Sequence, residues 1–114
     1  MKRGEIWLIN LDPTIGAEIK KTRPGVIVNR DSIGILPLKV IVPVTGWQEK
    51  FSQAPWLVPL EETPQNGLEK KSAADTFQVR SVSQQRFVER IGVLSGDDMA
   101  RINQALALSL HLDG

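Results

Sequence analysis

No cysteine occurs among the 114 residues, which rules out disulfide frameworks, thiolate metal sites and sulfur nucleophiles together and points to a reducing compartment. Tyrosine is also absent and aromatics make up 5% of the chain, so any base-stacking platform has to come from a few tryptophans and phenylalanines. The one histidine, His111, falls in the last turn of a predicted helix. There it serves most simply as a charge partner for the helix dipole, leaving proton transfer to other groups. Long apolar runs are missing as well. The charged start Met1-Lys2-Arg3-Gly4-Glu5 leads into a run too short for a signal-peptide core or a membrane span, so the protein is expected to be soluble and cytoplasmic. No P-loop, dinucleotide-binding glycine pattern, Gly-x-Ser-x-Gly or metal-spaced carboxylate–histidine set is found, and no metal or cofactor is expected. Charge of one sign is lacking too: 14 basic residues against 13 acidic ones give +1, a total that does not by itself mark a nucleic-acid binder.

What is present is a succession of short β-branched runs separated by turn residues, in a length that fits one domain over residues 1–114. Strands are predicted at Glu5–Leu11, Val26–Asn29, Val40–Val44, Trp56–Leu60, Ala73–Val82 and Phe87–Leu94. Thr14–Thr22 reads as a loop, and Thr45–Pro55 as a mobile connection. Six such strands predict a small barrel. A terminal helix follows: Ser95 caps a first turn holding Asp97 and Asp98, and Leu94 and Met99 form a hydrophobic staple. Met99, Ile102, Leu106 and Leu110 are expected to face the barrel, with Ala105, Leu108 and Leu112 on the opposite side as a subunit contact.

The chemistry concentrates at Lys20-Lys21-Thr22-Arg23-Pro24. Pro24 lacks an N–H and drives residue 23 toward extended geometry, fixing a guanidinium at a strand entrance, a position suited to phosphate. The other cations, Lys20, Lys21 and Arg30, flank the same β-branched run, making a local basic surface. Thr45 ends the run Val40–Val44, and Glu18 lies in the loop before Arg23. In RNA cleavage the attacking 2′-hydroxyl belongs to the substrate, so a protein has mainly to orient it, move protons and stabilise charge on phosphorus. Arg23 fits charge stabilisation, Thr45 a hydrogen bond to phosphate and Glu18 the base. Trp47 and Phe51 with Lys50 offer a stacking and steering surface for unpaired bases. Each has a plainer reading: an Arg23–Glu18 surface bridge, a Thr45 hydroxyl that satisfies the strand end, and a Trp47 folded back on the barrel.

These residues resemble the MazF/PemK toxin family over nearly the whole chain. Arg3-Gly4-Glu5-Ile6-Trp7, Leu11-Asp12-Pro13-Thr14 with Gly16 and Glu18, Lys21-Thr22-Arg23-Pro24 and Val26-Ile27-Val28 follow its N-terminal signature in order. Val42-Pro43-Val44-Thr45, Gln78-Val79-Arg80-Ser81, Arg86-Phe87 and Ile91-Gly92 match further blocks. The resemblance implies a mainly β, SH3-like barrel of the CcdB/PemK type with a C-terminal α-helix, a homodimer, and sequence-selective, metal-independent cleavage of single-stranded RNA, usually mRNA. It implies Arg23 and Thr45 as catalytic residues, Glu18 beside them, Gln78 near the RNA groove, and an antitoxin partner whose acidic, disordered tail fills that groove. One departure concerns the groove: many relatives carry aspartate just before the glutamine, whereas Phe77 stands here and Asp75 lies two residues earlier. Two other readings compete, a CcdB-type toxin that binds DNA gyrase without chemistry of its own and a non-enzymatic RNA-binding module. The Arg23 and Thr45 pair favours the nuclease.

Overall fold

A computed structural model describes residues 1–34 and 36–112. Among the described residues seven strands are present: β1 (Glu5–Asn10), β2 (Thr22–Ile27), β3 (Leu38–Gly46), β4 (Leu57–Leu60), β5 (Ser72–Asp75), β6 (Arg80–Ser83) and β7 (Phe87–Val93), followed by helix α1 (Gly96–Leu110). They pair antiparallel in the order β4-β5-β3-β2-β1-β7, with β6 also on β3. The mainly β class with a terminal helix is as expected, but hydrogen bonding does not close the sheet into a complete barrel.

β3 organises the sheet because its two ends belong to different neighbours. Leu38–Ile41 pair with β6, Ile41–Pro43 with β2, and Val44–Gly46 with β5. Alternation then sends neighbouring residues to opposite faces. Val26 and Val42 join Ile6, Leu60 and Ile102 in one core beneath α1, while Ile27 and Ile41 join Ile9, Leu11 and Val82 in a second.

Three expectations need revision. The Ala73–Val82 run is two strands, because Asp75 accepts from the Phe77 N–H at 3.1 Å and starts a 3₁₀ turn over Thr76–Gln78; a side-chain acceptor there outcompetes the ladder. The Thr45–Pro55 connection is more ordered than predicted, since β3 continues to Gly46 and a 3₁₀ segment spans Glu49–Gln53. Strand β2 also begins earlier than the apolar run, at Thr22, because backbone pairing with β1 extends from Val26 to Thr22 whatever the side chains are.

The helix starts as its sequence dictates, with Ser95 Oγ accepting from the Asp98 N–H at 3.1 Å. Its core face is rotated from the expectation, however. Ile102 and Ala105 are buried, Met99 and Leu106 pack against the same core, and Leu110 is 51% exposed. At 100° per residue, Leu110 is turned about 80° from Ile102, whereas Ser109 faces inward and shares a 2.9 Å hydrogen bond with Thr76. His111 ends the helix through its backbone. It adopts a left-handed conformation (φ 58°), its N–H bonds to Leu108 O and the Leu112 N–H to Ala107 O, the paired bonds of a Schellman cap.

Candidate active site

The register of β2 on β3 brings the two strongest candidates together. Gly25 faces Pro43, Val26 faces Val42 and Ile27 faces Ile41; continued by two positions, the same antiparallel count sets Arg23 opposite Thr45. The ladder stops first. Pro24 and Pro43 carry no N–H to donate, and from Val44 onward β3 pairs with β5 instead. The start of β2 and the end of β3 therefore diverge, and a cleft of about 300 Å³ opens between them, lined by Thr22, Arg23, Val44, Thr45 and Gly46.

Both side chains are available in this cleft. Arg23 is exposed, its Nε reaches only the Lys20 carbonyl at 3.4 Å, and among the described residues it makes no ion pair, with Glu18 or with any other carboxylate. Thr45 pairs with Ala73 in the β3–β5 ladder, so its hydroxyl is not needed to satisfy a strand end. The loop before Arg23 is pinned at its base: the Leu11 N–H bonds to Lys21 O at 3.0 Å and the Lys21 N–H to Asp12 Oδ1 at 3.0 Å. Lys21 takes a left-handed backbone (φ 70°) at that closure. Lys20 and Lys21 are both exposed on it.

Glu18 and Gln78 lie elsewhere. They line a second groove with Leu11, Pro43, Phe77 and Arg80. The Glu18 carboxylate accepts from the Ile15 N–H at 2.5 Å. Gln78 bridges the groove, accepting from the Ile19 N–H at 2.7 Å and donating to Asp75 Oδ2 at 3.0 Å. Asp75 is raised above the ordinary aspartate range because burial outweighs the hydrogen bonds from Phe77 and Gln78. Phe77 is 74% exposed on the rim.

Trp47 lines a third groove, between the 3₁₀ segment, β4 and α1. Its ring meets Phe51 edge-on at 5.8 Å, Lys71 Nζ stands 4.8 Å from its centroid, and its Nε1–H donates to Glu49 at 3.3 Å. Trp47 is half-buried, with these contacts holding its ring in the groove. Lys50 is exposed on the same 3₁₀ segment.

Sequence reasoning passed over the cleft's opposite wall, Gly67-Leu68-Glu69-Lys70. Two signals were available, the turn-forming Asn66-Gly67 pair and the basic doublet Lys70-Lys71. Buried Asn66 holds this wall with its side chain, which accepts from the Thr63 and Leu68 N–H groups and donates to Glu61 O. Among the described residues no three His, Cys, Asp or Glu side chains gather as a potential metal set, and no helix is long and apolar enough to cross a membrane.

A sheet bent around one long strand, closed on one side by a capped helix and carrying a basic cleft at its strand ends, defines a small mainly β fold with a candidate anion site. The family model for PemK-like, MazF-like toxins of type II toxin–antitoxin systems matches residues 2–110, and the chain belongs to that family. Endoribonuclease MazF9 of Mycobacterium tuberculosis is 35% identical over 119 residues, covering 99% of this chain and 97% of its own. Among solved structures, MazF from Deinococcus radiodurans superposes with a TM-score of 0.81 at 20% identity, covering 97% of this chain and 96% of its own. A mycobacterial endoribonuclease in complex with its cognate antitoxin gives 0.78 at 18% identity, covering 100% and 98%. The structural matches share the fold; family and relative together favour a toxin endoribonuclease over the gyrase-binding alternative.

Proposed function

We propose that this toxin cuts single-stranded RNA, sequence-selectively and without a metal, in the cleft between β2 and β3. The observation that carries the reading is the shared cleft of Arg23 and Thr45. The substrate 2′-oxygen loses its proton and bonds to the adjacent phosphorus, the bond from phosphorus to the 5′-oxygen breaks, and that oxygen takes up a proton. A 2′,3′-cyclic phosphate and a 5′-hydroxyl result, with no water consumed. Arg23 stabilises the charge that grows on the phosphoryl oxygens, and Thr45 holds one of them by a hydrogen bond. Purified protein incubated with single-stranded RNA and EDTA should give discrete cuts with cyclic-phosphate ends. Intact RNA would sink the reading.

Glu18 is the proposed base; its carboxylate lines the neighbouring groove and accepts from the Ile15 N–H, so this role requires the 14–21 segment to turn it into the cleft. Glu18→Gln should therefore lower the saturating cleavage rate at least about tenfold with affinity retained, since general-base catalysis is worth about 10²–10⁴. An unchanged rate would remove Glu18 from the chemistry and pass the role to Glu69, a carboxylate that lines the cleft.

The protein acts in the cytoplasm as a homodimer, held inactive by an antitoxin whose acidic tail competes with RNA for the basic cleft and for Lys20 and Lys21. The helix face bearing Leu108 and Leu112, 51% and 68% exposed, is the dimer contact. Leu108→Glu should convert the dimer to monomer in sedimentation at micromolar protein, because a carboxylate buried between subunits has no partner there; dimers of unchanged affinity would count against that face.

A further inference from the structure

The basic doublet Lys70-Lys71 divides between two surfaces. Lys71 lies over the Trp47 ring and pairs with Glu61 at 3.6 Å. Lys70 lines the cleft with Arg23 and Thr45 and, among the described residues, makes no ion pair. Its side chain lies on Gly46, the residue after Thr45: a methyl group built there would stand 3.1 Å from both Lys70 Cε and Nζ. Gly46 thus keeps open the space the ammonium end occupies. Nor is the backbone beneath Lys70 loose. Besides the Asn66 bonds, Gly67 and Gly92 bring the loop and β7 into backbone contact, and the Val93 N–H bonds to Gln65 O at 2.9 Å.

We propose that Lys70 is the second cation of the reaction cleft, held over Gly46 to contact the phosphate that Arg23 and Thr45 engage. The inference rests on the nuclease reading and adds a residue to it. The cleft lining carries two cations, Arg23 and Lys70, against one carboxylate, Glu69, a net charge of one positive. Two cations on opposite walls suit a phosphorane, whose negative charge is spread over several oxygens that one guanidinium cannot all reach. Lysine suits the second position because a point charge on a flexible stem follows the phosphate as its geometry changes.

The test is single-turnover cleavage of a short single-stranded RNA at saturating protein, with affinity measured separately on the same RNA carrying 2′-O-methyl at the cut site. Lys70→Ala should slow the saturated rate about 10- to 100-fold, less than loss of Arg23 because a point charge replaces no bidentate fork. Lys70→Arg should recover part of that rate, and Gly46→Ala should lower it by displacing the ammonium while the fold persists. Lys39→Ala removes an equal charge at the far end of β3, opposite Val82, and should change nothing. A Lys70→Ala protein with the wild-type saturated rate, whether or not its affinity drops, overturns the proposal. Wild-type protein that leaves RNA uncut defeats the nuclease reading itself, an outcome separate from that one.

Discussion

Arg23→Ala is expected to reduce saturated RNA cleavage by about 10²–10³-fold, the usual cost of removing one preorganised donor from a developing oxyanion. The thermal midpoint should move by no more than about 3 °C, since an exposed side chain with one long hydrogen bond contributes about 0.5 kcal/mol or less. Both halves follow from its location. Arg23 lies in the strand but at its solvent-facing start, where β2 has left β3 and joins β1 through Ile9. The fold needs its backbone, and the cleft uses its guanidinium. Arg23→Lys should restore little of the rate, because an ammonium cannot make two parallel bonds to one phosphate. Single-turnover kinetics beside a melting curve checks the pair of statements. A rate within threefold of wild type would remove Arg23 from the chemistry, and a lost fold would make it structural.

Gly67→Ala should have the opposite signature, a destabilisation of about 3 to 5 kcal/mol in urea unfolding, from a left-handed backbone and a backbone clash acting together. Gly67 has φ +68°, and a Cβ built on it would stand 2.0 Å from Ile91 O. No rotamer relieves that contact, since the backbone fixes the Cβ position and its partner is a main-chain oxygen. Gly16→Ala is the matched control: its φ is +58° with nothing within 4 Å, so only the backbone term of about 1–2 kcal/mol applies. Equal losses for the two variants would show that loop and β7 are not packed as described. Cleavage by Gly67→Ala should fall at least in proportion to the folded fraction, because relieving the clash shifts the loop that carries Lys70 along the cleft.

These two positions mark where local reading succeeded and where it failed. The Arg23-Pro24 pair announces an arginine at a strand entrance because proline restricts the backbone of its immediate neighbour. The helix start was equally legible, since a cap involves Ser95 and the turn that follows it. Its buried face was misjudged by the choice between Ala105 and Leu110: leucine attracted the assignment, yet alanine is the residue that fits close against the sheet. Asp75 broke a strand that β-propensity alone would carry through. The surroundings of Trp47 were not legible in full, because the cation over its ring, Lys71, comes from a segment distant in sequence.

The chain by itself determined that the protein is mainly β with a capped terminal helix, that thiol chemistry is excluded, and that an arginine stands at a strand entrance, all properties set within a few neighbouring residues. Only the tertiary structure decided that Arg23 and Thr45 line one cleft, that Glu18 and Gln78 line a separate groove, and that Lys70 joins the first of them. Each of those depends on strand register and on β3 changing partners at Val44, which the whole sheet fixes through packing between residues distant in sequence.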